Sequence, residues 1–169
     1  MRAVKVRFTK KADGRHRLTV VRDDGSASQG QMVPGLGADA IPHDLLHALV
    51  EKTLGLTRGV YGMVGTGLEI AALLDPKRKA MNREEPELML SEIVTTLLQA
   101  ESAYEGVEAG DFRERMRERC AEHGVAERAI SEEQLVAMRA AREEYARRWK
   151  ALGVGETIEI EVRLRGEGR

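Results

Sequence analysis

ETIEIEVRL, residues 156–164, is the stretch on which the fold turns. Ile158, Ile160, Val162 and Leu164 alternate with Glu159, Glu161 and Arg163. A period of two predicts a strand with one buried and one wet face. The residues before it read as helices for over a hundred positions. A lone strand cannot pair its backbone groups, so this one must return to strands near the start of the chain.

Those strands are legible. Val4, Val6 and Phe8 alternate with Lys5 and Arg7. Asp13-Gly14 is a hairpin turn signal, and Leu18 and Val20 continue the alternation beyond it. Asp24-Gly25 marks a second turn, after which residues 26–33 return as a third strand. Pro34, Gly35 and Gly37 then break the chain.

Five helices are expected between the last two strands. The first begins at Asp39 or Pro42, carries the stripe Leu45, Leu46, Leu49, Val50 and Leu54, and ends at Gly55. The second runs from about Arg58 to Leu74, before Asp75-Pro76. A charged loop over 75–87 precedes a third, central helix that Pro86 begins. The fourth covers 111–123, with Asp111 early and His123 late to suit the helix dipole. Ser131 and Gln134 form a capping box for the fifth, whose Leu135, Met138, Tyr145, Trp149 and Leu152 make a core face. The expected fold is α+β, a single domain over 1–169. An antiparallel sheet of three or four strands has one charged face and about five helices on the other.

Composition bounds the function. Hydrophobic residues at 42% and charged residues at 33% suit a folded chain rather than a disordered one. Val60–Leu74, the longest apolar run, is interrupted by Glu69 and glycines and falls short of the ~20 residues of a membrane span. MRAVKVRF reads as a strand, not a signal segment. One cysteine, Cys120, excludes an internal disulfide and a cysteine-based zinc site. A cytoplasmic protein is expected.

Charge is uneven: residues 1–36 hold eight Lys/Arg against three Asp. The basic hairpin could meet nucleic acid. However, the C-terminal strand adds Glu159 and Glu161 beside Lys5 and Arg7, and Phe8 belongs to the buried face, so a solvated charged sheet is the better account. GVYGMVGTGLE, 59–69, lacks the Lys-Ser/Thr of a phosphate loop and matches GxGxxG in no register. Its glycines suit close packing.

The chemistry concentrates in IPHDLLHALVE, 41–51. At 100° per residue His43 and His47 project at about 0° and 40°, flanking an apolar stripe near 280°, with Asp44 and Glu51 at about 100° and 80° toward solvent. Histidines at i and i+4 can reach one metal ion. HDLLH resembles the HExxH motif of zinc peptidases, with Asp44 in place of the glutamate that serves as general base. In the glutamate-ligand branch a third ligand comes from a later helix, and Glu69 stands 22 residues past His47. The His-Asp pair is also similar to the HD phosphohydrolases, but those need an earlier helical histidine, and His16 lies in a strand.

Glu69 is the one charge in an apolar, glycine-rich helix, sharing a face with Gly62 and Gly65. Folding the first two helices about Leu56 puts 43 level with 69, 47 with Gly65, and 51 with Tyr61. Two readings follow. Either Glu69 is a buried carboxylate satisfied by an imidazole, or His43, His47 and Glu69 hold a divalent metal such as zinc or manganese, with Asp44 or Glu51 as base or outer partner.

ADGRHRL, PHDLLHALVE and GVYGMVGTG together resemble a set of bacterial proteins with an HDLLH…VE helix. The resemblance spans about the first 75 residues and implies that these segments belong to one unit. It implies no activity and brings no functional residues.

Three functions are therefore carried forward. The first is a non-catalytic interaction or ligand-binding domain, self-associating or meeting a protein partner. The second is a metal-dependent hydrolase using His43, His47 and Glu69. The third, nucleic-acid binding through the hairpin, is disfavoured by the acidic neighbours.

Overall fold

The computed structural model describes residues 2–32, 40–103 and 109–164. Pro34, Gly35, Gly37 and Asp39 lie outside them. Strands β1 (Arg2–Lys10), β2 (His16–Val21), β3 (Ala27–Met32) and β4 (Thr157–Leu164) form one antiparallel sheet in the order β3-β2-β1-β4. The C-terminal strand pairs with β1, with Val6 opposite Ile160 and Phe8 opposite Ile158. Alternation sends Val4, Val6, Phe8, Leu18, Val20 and the apolar residues of β4 inward.

The outer face is the charged one. Lys5 stands opposite Glu161 and Arg7 opposite Glu159, whose carboxylate lies 2.7 Å from the Arg7 guanidinium. The acidic strand thus offsets the basic hairpin, and no run of positive charge is left on β1 for a phosphate backbone to follow.

Seven helices occur among the described residues: α1 (His43–Leu54), α2 (Val60–Gly65), α3 (Ile70–Leu74), α4 (Lys79–Arg83), α5 (Pro86–Ala103), α6 (Ala109–Glu122) and α7 (Glu132–Ala151). α1 packs against β4, α5 and α7, while α2 lies on β1 and β2. Gly55 ends α1 in the left-handed region, at φ 64°, where a glycine carries no steric penalty. Ser131 and Gln134 close the capping box of α7 as the sequence predicts. Trp149 is core, 2% exposed, and Cys120 is buried, its thiol pushed up by that burial. No helix among the described residues is long and apolar enough to cross a membrane.

The expected second helix, 58–74, is corrected. It is two short helices separated by Gly67, whose φ of 114° no right-handed helix accommodates. The expected loop over 75–87 also contains a 3₁₀ turn at Pro76–Arg78 and then α4. Glycine does serve close packing: a Cβ on Gly65 would sit 2.6 Å from Leu164 Cδ1 and 3.0 Å from Val4 Cγ1. α2 rests on the sheet through that bare position.

Candidate metal centre

Glu69 does not meet the histidines. It precedes α3 on the far side of the Gly67 break, 59% exposed at the side chain, and pairs with Arg22 at 3.0 Å. A hydrogen bond from Ser28, and then the Arg22 guanidinium, hold its carboxyl below the ordinary range. The antiparallel register assumed a continuous helix, and the break rotates Glu69 away. The metal set His43, His47 and Glu69 is therefore corrected.

Glu92, on α5, takes the place assigned to Glu69. His43, His47 and Glu92 bring one ligand atom each within 4.8 Å of one another. The two Nε2 atoms are 3.2 Å apart, and Glu92 Oε2 lies 2.7 Å from that of His47 and 3.3 Å from that of His43. Tetrahedral ligands at 2.0–2.1 Å from a zinc ion would stand roughly 3.3 Å from each other. The spacing of the three atoms is close to that of a metal tripod.

The outer partners orient both rings. Ser91 donates its hydroxyl to Glu51 Oε1 at 2.9 Å. The serine oxygen therefore accepts, so His47 Nδ1 carries a proton and donates it at 2.7 Å. His43 Nδ1 likewise donates to Gln99 Oε1 at 2.8 Å. With both Nδ1–H groups committed, both Nε2 atoms turn toward Glu92. Such fixing of the tautomer by a second partner is the usual support of a metal-binding histidine.

In the metal-free protein a proton occupies this point. Burial alone would lower the His47 pKa, but Glu51 and Glu92 outweigh it and raise it to about 9. Glu51 acts from 3.8 Å, relayed through Ser91 rather than by direct contact. Burial would raise Glu92, but hydrogen bonds from His43 and His47 and the His47 charge hold it well below the carboxylate range.

The two candidate bases are occupied. Asp44 accepts from His16 Nε2 at 2.7 Å, and His16, 2% exposed, meets the edge of Trp149. Glu51 was expected to face solvent and is instead completely buried. The reason is α2, whose first amides point at it. Glu51 accepts from Val60 N at 2.7 Å and Tyr61 N at 3.0 Å, satisfying a helix N-terminus that has no side-chain cap of its own. Gly59 is required there, because a Cβ would collide with the Glu51 carboxylate.

The cluster opens on a cavity of about 550 Å³. Leu18, Val60, Ile70, Leu73, Leu88 and Ile93 supply much of its apolar wall, and His43, His47 and Glu92 its polar point. That volume and that lining suit a small organic ligand. Glu92 reaches the cluster with half its side chain exposed, so the site is open rather than sealed. No family model matches the chain, no curated protein matches it, and no solved structure matches it.

Proposed function

We propose that this protein is a divalent-metal-dependent hydrolase of small, apolar-bodied molecules. One observation carries the reading: two oriented imidazoles and a carboxylate converge at the wall of an apolar cavity. Three protein ligands leave a coordination position for water, and a metal-bound water ionises near neutral pH. Asp44 and Glu51 are both committed elsewhere, so in this reading the ion alone would activate that water. Two imidazoles and one carboxylate suit zinc, and the same set with open positions also serves ferrous iron. The lone, buried Cys120 suits a reducing, cytoplasmic setting.

The test is elemental analysis of tag-free protein after dialysis against zinc, manganese and, anaerobically, ferrous iron. Wild type is expected to retain about one ion per chain. His47→Ala should retain none, and Ser91→Ala should bind about 10–100-fold more weakly by losing only an orienting contact. The metal-loaded protein should then cleave short p-nitrophenyl esters, and chelation should abolish that activity. Failure to retain any of these ions would sink the reading and leave the trio as a hydrogen-bonded network.

A second reading, non-catalytic binding of the same ligands, is favoured by the commitment of Asp44 to His16 and Glu51 to α2. Stoichiometric metal with ligand binding but no turnover would select it. Self-association draws little support among the described residues, where the large exposed hydrophobics are Leu74 on α3, Met81 on α4, Val136 on α7 and Val154 in the turn before β4.

A further inference from the structure

The cavity carries charges that the metal centre does not use. Lys79 and Arg83 stand four apart on α4, both exposed and both on the cavity wall. Neither has an ion-pair or hydrogen-bond partner among the described residues. Arg119 and His123, four apart at the end of α6 and just beyond it, line the same space.

The helices bring these pairs to one end. α4 is separated from α5 by Glu84 and Glu85 alone. α6 returns along α5: Arg139 lies over the Phe112 ring and also pairs with Glu101, so the start of α6 is level with the end of α5. Arg119 and His123 therefore come level with the first half of α5, where Leu88, Glu92 and Ile93 face the cavity. Of the two acids on the wall, Asp44 is paired with His16 and Glu92 with the histidines. Arg119 has Glu122 at 3.5 Å, with both side chains more than half exposed, a pair too wet to neutralise it.

We propose that the cavity selects carboxylate-terminated molecules with an apolar body, and that Lys79 and Arg83 hold the carboxylate. The body lies against the apolar wall of α5 and α3. An uncharged ligand would gain only the apolar burial, and a cationic one would meet the basic rim. The inference rests on the cavity being the ligand chamber of the metal centre, and it supplies that centre's substrate class.

Calorimetric titration of sodium decanoate, decanol and decyltrimethylammonium tests it, first on protein stripped with chelator. Decanoate should bind most tightly and the cation not measurably. Lys79→Gln/Arg83→Gln should weaken decanoate about tenfold and leave decanol unchanged. Equal affinity for decanoate and decanol would overturn the proposal, as would indifference to the double substitution. Decanoate binding that appears only with metal would also overturn it by placing the carboxylate on the ion. Metal content on the same preparations keeps the two ideas separate. Charge-selective binding without metal in any preparation supports this proposal and fails only the hydrolase.

Discussion

Glu51→Ala is expected to cost about 3–5 kcal/mol, the penalty of breaking a buried, hydrogen-bonded charge network. The carboxylate is fully buried and accepts three hydrogen bonds, from Val60 N, Tyr61 N and Ser91 Oγ. Alanine would take the acceptor from two amides at the start of α2, the buried one of Tyr61 and the part-buried one of Val60. It would also free Ser91 to turn its proton toward His47, which disorders the tautomer at the cluster. A chain of this size has on the order of 5–15 kcal/mol of total stability, so the loss is a large share of the whole. Glu51→Gln keeps the shape and one acceptor, and should cost less. Urea denaturation at neutral pH measures both. A loss under about 1 kcal/mol in Glu51→Ala would mean that the carboxylate does not cap α2.

Metal should change stability by a comparable amount. An ion that binds only the folded chain adds about 4 kcal/mol at a free concentration a thousandfold above Kd. At roughly 2–4 °C per kcal/mol for a chain of this length, Tm should rise by ~8–16 °C. His47→Ala should abolish the rise. The pH dependence has a definite sign. The folded pKa of His47, about 9, lies above its ordinary value of 6.5. In metal-free protein its stabilising contribution is therefore fully present below pH 6.5 and lost as pH climbs through 9. With metal the trend reverses across the same window, because the ion must displace that proton and binds better as the proton becomes easier to remove. Thermal melts at pH 6, 7.5 and 9, with and without zinc, would reveal the crossing. Parallel curves would show that ion and proton do not compete for Nε2.

The sheet and the longer helices were legible because each follows a single period. β1, β2 and β4 alternate at two in the sequence, whereas β3 was marked by the Asp24-Gly25 turn and has few apolar residues; β4 had to return to the N-terminal hairpin, where it pairs with β1. The histidine helix was legible too, and so was the level of Glu51 with Tyr61, since that register needs only the tight turn after Gly55. Beyond Gly65 the register was lost. A glycine inside an apolar run reads as close packing or as a break, and Gly65 and Gly67 are one of each. The third member of the cluster was missed for that reason. The criterion that singled out Glu69, a lone charge in an apolar helix, applies equally to Glu92, which is the only charged residue between Glu87 and Glu101. Ser91 beside it was a further mark of a polar point in a buried helix. Distance along the chain hid both, because helix-to-helix contact at a separation of 45 residues leaves no local pattern.

Glu51 also makes two backbone amides into observers of the cluster. The Val60 and Tyr61 N–H groups share their acceptor with Ser91, and Ser91 shares its oxygen with His47. A change of charge on the imidazole alters how strongly the carboxylate draws on those two protons. Their nitrogen and proton resonances therefore carry the state of a site they do not touch. In a spectrum of the labelled chain, occupancy could be followed from two peaks at the start of a six-residue helix.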